Sequence, residues 1–267
     1  MFSGITEWIN ELMADPSGTL ITLAYVAVCI LFSLILHECA HGWVAWKCGD
    51  PTAKMLGRLT LNPMKHLDPF GTICMVFLRV GWAKPVPINP RNFRNYRRDY
   101  IMVSLAGIVT NLLLFIASLI SAALLCHVIY KPVILEYMQE KGLQNNLIDL
   151  YHMYLPSAVY VGRFDVIAGN INNGCEWALY LQRFFLMLAQ MNLGLAVFNL
   201  LPVPPLDGYR FLDMFVFKGK LAMERNIMNM IQIAFLVICM SGILSSFLTT
   251  VNGAVFGFFS NIVAMII

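Results

Sequence analysis

Three residues in the first fifth of the chain have the types and the spacing of a metal site with an adjacent base. His37 and His41 lie four positions apart in the sequence His37-Glu38-Cys39-Ala40-His41. In an α-helix, residues at this spacing share one face, so the two imidazoles can bind a single zinc ion. Glu38 directly follows the first histidine and is placed to act as a general base on water activated by the metal.

A catalytic zinc ion usually has three protein ligands, and Asp207 is the predicted third. Asp207 follows Pro202, Pro204 and Pro205, which exclude a regular helix at this point. Non-helical backbone at membrane depth is tolerated only where it is buried in protein or lines a water-filled cavity. The alternative is a helix cap or surface turn, because Asp-Gly is a common turn pair.

The composition indicates an integral membrane protein. Of the 267 residues, 59% are hydrophobic and 12% are charged, and the mean hydropathy is +0.70. A soluble domain is closer to half apolar and a quarter charged.

Ionisable groups within a membrane span are costly and usually functional. The alternative that His37, Glu38 and His41 are unrelated core residues is therefore weak.

The predicted fold class is all-α, a polytopic membrane protein with about four to five transmembrane helices. Apolar length predicts spans at residues 20–46, 101–130, 179–201 and 227–248, while 251–267 could cross again or lie along the surface. Residues 70–80 are too short to span, and prolines interrupt 81–90. We therefore expect a re-entrant or β-hairpin-like element between the first two spans.

Charge placement predicts the orientation. Ten of the 18 Lys and Arg residues lie in 47–98 and four more lie in 209–225. The positive-inside rule places both segments on the cytoplasmic side of the cell membrane. The His37–His41 motif and Asp207 then end their spans on the same side. We expect the arginines of 91–98 to bind anionic lipid headgroups.

One membrane-embedded domain is predicted over residues 1–267. Its core covers about 20–208, residues 131–178 form an inserted extracytoplasmic segment, and 226–267 contain C-terminal helices.

The two motifs together resemble the site-2 protease family of intramembrane zinc metalloproteases. These are His37-Glu38-Cys39-Ala40-His41 in a first span and Asn199-Leu200-Leu201-Pro202-Val203-Pro204-Pro205-Leu206-Asp207-Gly208 in a later one. Residues 57–63, the motif His66-x-Asp68-Pro69-x-Gly71 and residues 81–87 are similar to its compact bacterial and archaeal branch. The chain departs from the family at Gly107-Ile108, where a proline commonly follows the glycine.

The resemblance implies one zinc ion per chain on His37, His41 and Asp207. It also implies that Glu38 is the general base and that Asn199 binds the substrate or the developing oxyanion. The expected partners are a transmembrane protein or peptide substrate and the lipid bilayer. No nucleic-acid partner is expected, since the chain has no soluble basic module. The sequence does not specify an oligomeric state.

Two alternatives to this function remain open. A membrane metal carrier could use the same His and Asp ligands, although carriers usually place their ligands on paired or repeated elements. A catalytically inactive homologue could bind membrane segments without cutting them.

Several polar residues have two interpretations each. His66 and Asp68 could orient a zinc ligand or form a capped turn before Pro69. Asn111, like Gln190 and Asn192, is interpreted as a helix-packing residue within a span. The extended segment around residues 82–89 could clamp an unwound substrate by strand addition.

Overall fold

The computed structural model describes residues 13–68, 71, 84–129, 175–221 and 224–266. This part of the chain is helical and contains no β-strand. Its helices are α1 (Pro16–Lys47), α2 (Thr52–Met55), α3 (Tyr96–Ile129), α4 (Glu176–Leu200), α5 (Asp207–Phe215), α6 (Arg225–Ser241) and α7 (Ile243–Ile266). The predicted all-α class is therefore confirmed.

Four helical segments are long and apolar enough to cross a membrane. They are Pro16–Lys47, Tyr96–Cys126, Trp177–Leu200 and Leu244–Val263. The first three coincide with the spans predicted at residues 20–46, 101–130 and 179–201. Together they confirm a multi-pass membrane protein.

The span predicted at residues 227–248 is wrong as one continuous helix. Helix α6 ends at Ser241, and Gly242 adopts a left-handed conformation with φ of 83°. Glycine takes this conformation without a Cβ penalty and is the usual residue just past a helix end. The fourth membrane-length segment is instead Leu244–Val263 within α7, which also contains most of residues 251–267.

Local sequence explains both ends of α1. The Asp15 carboxylate accepts the backbone N–H of Gly18 at 3.0 Å, as expected of a residue that caps a helix amino terminus. At the other end, Gly49 has φ of 109° and the N–H of Asp50 donates to the carbonyl of Ala45 at 2.9 Å. This glycine-centred cap ends the helix six residues after the second motif histidine, His41.

Residues 84–89 have no regular secondary structure, as their prolines predict. The predicted re-entrant element at 70–80 lies outside the described residues except for Gly71, and so do 81–83 and most of the predicted insert at 131–178. The single domain over 1–267 stays a prediction.

By contacts between residues, the chain forms two compact units. One contains Ile30–Leu113 and Asn192–Thr249, and the other contains Phe2–Cys29, Leu114–Met191 and Thr250–Ile267. The first unit has a hydrophobic cluster of Ala45, Cys48, Phe93 and Val103. All of the predicted site residues belong to this first unit: His37, Glu38, His41, Asn199 and Asp207.

Candidate metal centre

Three predicted ligands from distant parts of the chain meet at one buried point. The Oδ2 atom of Asp207 lies 3.2 Å from His37 Nε2 and 3.0 Å from His41 Nε2, and the two Nε2 atoms lie 3.0 Å apart. The residues are 5%, 6% and 7% exposed for His37, His41 and Asp207. The sequence separations are 170 and 166 positions. We call these three residues the His–His–Asp cluster.

The turn between α4 and α5 positions Asp207. It occupies residues 201–206 and brings Asp207 to the first residue of α5. A Cβ atom at Gly208 would overlap the carbonyl group of Leu200, so only glycine permits this close approach of α5 to the end of α4. A carboxylate in the first turn of a helix also interacts favourably with the helix dipole.

The donor atoms and their separations fit a zinc ion. Two imidazole nitrogens and one carboxylate oxygen form a typical catalytic zinc set. Bonds of about 2.0–2.1 Å in tetrahedral geometry place ligand atoms roughly 3.3 Å apart, close to the 3.0–3.2 Å found here. A Cβ atom at Gly107 would lie 2.5 Å from both Nε2 atoms. Glycine thus leaves room beside the ligands.

Helix α3 contacts the outer nitrogen of each imidazole. His41 Nδ1 lies 2.7 Å from the carbonyl oxygen of Val103, and His37 Nδ1 lies 3.1 Å from Nδ2 of Asn111. Val103, Gly107 and Asn111 recur at intervals of four, so they share one face of α3. Sequence reasoning interpreted Asn111 as a packing residue, so its contact with His37 was missed.

The extended segment 84–89 contacts the predicted base directly. The N–H of Val86 donates to Oε2 of Glu38 at 2.8 Å. Val86 is 6% exposed, and an added Cβ at Gly42 would lie 2.9 Å from its side chain. The segment therefore packs tightly against α1 one turn beyond Glu38.

Both ends of this segment are tied to the connector after α1. Arg58 donates from Nη2 to the carbonyls of Lys84 and Pro85 at 2.7 and 3.2 Å. The N–H of Asn89 donates to Oδ2 of Asp50 at 2.7 Å. These contacts fix the backbone that binds the Glu38 carboxylate.

Asn199 makes a contact within its own helix. Its side-chain amide donates to the carbonyl of Leu195 at 3.0 Å, one turn back along α4. Its predicted role toward the substrate stays a prediction.

The contacts of His66 and Asp68 favour the turn interpretation. Asp68 Oδ1 accepts the N–H of Gly71 at 2.8 Å. His66 is buried, and its Nε2 lies 2.8 Å from the carbonyl oxygen of Thr60. Since a carbonyl only accepts, the imidazole donates to it, which ties together two turns of the connector.

Two arginines contact residues of α5. Arg210 Nη1 lies 3.8 Å from Oδ1 of Asp207, the oxygen that does not face the imidazoles. Arg97 donates to the carbonyls of Met214 and Phe215 at 3.2 and 3.1 Å. The last carbonyls of a helix have no partner within it, so Arg97 caps α5. Predicted only as a lipid anchor, Arg97 has this structural contact as well.

Ionisation of Asp207 follows from the same contacts. Burial raises the pKa of this carboxyl, but the contacts with the imidazoles of His37 and His41 lower it by more, so the pKa lies below its usual range. The carboxylate is therefore in the ionised form that a metal requires.

A buried His–His–Asp cluster beside a glutamate, in a protein with four membrane-length helices, defines a membrane protein with a metallopeptidase-type site. The profile of peptidase family M50 matches residues 25–241. The chain belongs to this family, and the resemblance to site-2 proteases is confirmed.

Named relatives agree with this membership. "Putative zinc metalloprotease YwhC" of Bacillus subtilis is 39% identical over 191 residues, which are 72% of this chain and 68% of that protein. "Putative zinc metalloprotease Rip2" of Mycolicibacterium smegmatis is 33% identical over 122 residues, 42% of this chain and 44% of the relative. The protein of that name in Mycobacterium tuberculosis is 28% identical over 222 residues, 79% of this chain and 64% of the relative. No solved structure matches the chain.

Proposed function

We propose that the protein is an intramembrane zinc metalloprotease that hydrolyses peptide bonds of transmembrane substrates. The observation that carries the proposal is the convergence of His37 Nε2, His41 Nε2 and Asp207 Oδ2 within 3.0–3.2 Å. Family membership and the names of the relatives support it.

Each residue has a distinct role in the proposed reaction. His37, His41 and Asp207 hold one zinc ion, which when bound polarises the scissile carbonyl and makes water more acidic. Glu38 takes the proton from the attacking water and returns it to the leaving amine. The Val86 N–H holds one oxygen of Glu38 in place. Asn199 supplies a hydrogen-bond donor to the developing oxyanion.

The substrate is an unwound stretch of a transmembrane segment, because a helix hides its peptide bonds within its own hydrogen bonds. Segment 84–89 is already extended and fixed beside Glu38. Its N–H groups at Lys84, Val86 and Asn89 donate to His66, Glu38 and Asp50. The other residues of the segment are two prolines, which have no N–H, and Ile88. We therefore assign the Ile88 N–H to strand addition with a substrate.

The site faces the cytoplasmic side of the cell membrane. The support for this orientation is the placement of Lys and Arg in residues 47–98 and 209–225. His37 and His41 lie near the end of α1, shortly before the first of these segments, and Asp207 lies at the start of α5, shortly before the second.

Glu38→Gln tests the proposal, since it keeps the size of the side chain but removes the base. General-base catalysis contributes about 10²–10⁴-fold, so we expect cleavage of a transmembrane reporter in proteoliposomes to fall by at least about 100-fold. Zinc content, measured by mass spectrometry of the purified protein, should be unchanged. Glu224→Gln, on an exposed residue before α6, is the matched control.

The same variant separates the alternatives. A metal carrier would retain transport of zinc into vesicles, and an inactive binding homologue would show no difference between wild type and variant. Membrane proteins that accumulate uncut in cells expressing Glu38→Gln would identify the substrates.

A further inference from the structure

Asn111 is a fully buried polar residue in the middle of an apolar helix. It is 0% exposed, and its Nδ2 lies 3.1 Å from Nδ1 of His37. Its Oδ1 is buried and has no hydrogen-bond partner in the described part of the chain. Buried polar atoms in native proteins nearly always have partners, so this oxygen calls for an explanation.

His41 shows what a zinc-ligating histidine needs in this site. Its Nδ1 lies 2.7 Å from the carbonyl oxygen of Val103, which can only accept a hydrogen bond. His41 therefore carries its hydrogen on Nδ1, and the lone pair of Nε2 points toward Asp207. The backbone of α3 sets this tautomer.

His37 needs the same tautomer to bind zinc through Nε2, and among the described residues Asn111 is the side chain in contact with its Nδ1. With Nδ1 carrying the hydrogen, His37 requires an acceptor at Nδ1. The amide nitrogen of Asn111 cannot accept, but its oxygen can. A rotation of 180° about the last side-chain bond exchanges the two atoms within nearly the same volume.

We propose that Asn111 is a positioning residue for His37, with its Oδ1 accepting the Nδ1–H of the imidazole. This arrangement pairs the amide oxygen with the Nδ1–H, moves the amide nitrogen to the position that the oxygen now occupies, and directs the Nε2 lone pair of His37 to the same point as that of His41. The inference rests on the proposed function, because it assigns the group that orients one of the zinc ligands.

Helix α3 then supplies three features of the centre from one face. The carbonyl of Val103 orients His41, the missing side chain at Gly107 leaves room for the ion, and Asn111 orients His37. Zinc-bound histidines usually donate their outer N–H to such a partner, and loss of the partner weakens metal binding or activity about 10–100-fold.

Asn192 offers a matched control for the loss of a buried amide. It is also 0% exposed and belongs to the same compact unit, but its Nδ2 donates to the hydroxyl of Ser33 at 2.9 Å. A leucine at either position removes one buried amide from an apolar helix at similar volume.

The experiment compares zinc affinity in Asn111→Leu, Asn111→Asp and Asn192→Leu. The full chain is purified in detergent micelles, and zinc affinity is measured by competition with a chromophoric chelator. The visible spectrum of the cobalt(II) form reports the coordination geometry, and thermal denaturation reports folding. Asn111→Leu should bind zinc about 10–100-fold more weakly and change the cobalt spectrum.

The other variants isolate the hydrogen bond. Asn111→Asp retains an acceptor oxygen and should bind zinc within a few-fold of wild type. Asn192→Leu should lower Tm and leave zinc affinity and the cobalt spectrum unchanged. If Asn111→Leu does not fold, Asn111→Ala removes the amide without adding a branched side chain. It should show the same weakened zinc binding.

Three results would overturn the role of Asn111. These are wild-type zinc affinity in Asn111→Leu or Asn111→Ala, loss of zinc binding in Asn111→Asp, and equal weakening in Asn192→Leu. A wild-type protein that binds no zinc would instead contradict the metal centre itself, so the two proposals fail in different ways.

Discussion

Both compact units bury polar side chains in membrane-length helices, but they do so differently. In the second unit, Arg183 donates to the hydroxyl of Thr22 at 2.7 Å and its guanidinium lies 5.1 Å from the ring centroid of Tyr25. Gln182 donates to the carbonyl of Ala122 at 3.4 Å. These neighbouring polar residues on α4 thus have separate contacts, which is the pattern of helix packing.

In the first unit, the polar groups converge. His37, His41 and Asp207 direct three atoms to one point, and Gly107 keeps the adjacent space open. The outer nitrogen of each imidazole contacts a further group on α3. The comparison teaches that burial alone does not mark a functional polar residue; convergence together with space does.

The strongest test of this comparison removes one converging ligand. Asp207→Ala leaves two imidazoles, so we expect zinc binding to weaken by more than the ~100-fold that loss of an orienting partner causes, with loss of reporter cleavage. Gln182→Leu is the counterpart in the second unit and should reduce Tm while zinc affinity is retained. Chelator competition measures both variants, and equal zinc loss in both would remove the distinction between the units.

Filling the space beside Gly107 should have the next largest effect on zinc affinity. The new methyl group in Gly107→Ala would lie 2.5 Å from both Nε2 atoms, where it competes with the ion. We expect at least about a 10-fold loss of zinc affinity, the lower bound for disturbed ligand orientation. Gly253→Ala on α7 is the control, since no atom lies within 4 Å of its added Cβ. Unchanged zinc binding in Gly107→Ala would contradict the position assigned to the metal.

Substitutions in segment 84–89 test the predicted role of Glu38 separately from zinc binding. Val86→Pro removes the N–H that donates to Glu38. A hydrogen bond to a charged group contributes about 1.5–3 kcal/mol, so kcat should fall about 10–100-fold, with zinc affinity unchanged. Ile88→Pro leaves the Glu38 contact intact and tests the predicted clamp through a rise in KM. Cleavage at the wild-type rate in both variants would exclude both roles for the segment.

The smallest expected effect concerns folding of the connector that holds this segment. Burial raises the pKa of Asp50, but hydrogen bonds from Thr52, Asn92 and Asn89 lower it by more, so the net shift is downward. A carboxyl with a depressed folded-state pKa contributes stability above its unfolded pKa of about 3.9, and that stability is lost as the pH falls through the folded-state value. Tm should therefore fall in this acidic range.

Asp50→Asn sharpens the same test. The amide cannot fully replace a carboxylate that accepts several hydrogen bonds, so the variant should lose about 1–3 kcal/mol at neutral pH. Its Tm should also depend less on pH than that of wild type below pH of about 4. An identical acid profile in the two proteins would show that other carboxylates control acid unfolding.

The site could be predicted from sequence where spacing or chain geometry restricts the answer. The interval of four between His37 and His41 determines a shared helix face, and the prolines before Asp207 require an irregular turn there. No such constraint distinguishes Asn111 from Gln190 or Asn192, since all three are amides within apolar runs. Only packing shows that Gln190 is exposed and that Asn111 contacts the predicted ligand His37.

The break at Gly242 and the cap formed by Arg97 were missed for related reasons. A single glycine in an apolar run is tolerated within a helix, so the sequence does not predict that this one ends α6. Arg97 belongs to a cluster of arginines that are alike in sequence, and its partners, the carbonyls of Met214 and Phe215, lie more than a hundred positions away.

Helix α3 is attached to the centre at more than one place. Near the start of α3, Arg97 donates to a carbonyl at the end of α5, the short helix that begins with Asp207. Further along α3, Val103 contacts His41 and Asn111 contacts His37. A displacement of α3 would therefore alter the contacts of both imidazoles and of the helix that begins with Asp207 at the same time. We therefore expect a substitution that displaces α3 to disturb the whole His–His–Asp cluster rather than one of its residues.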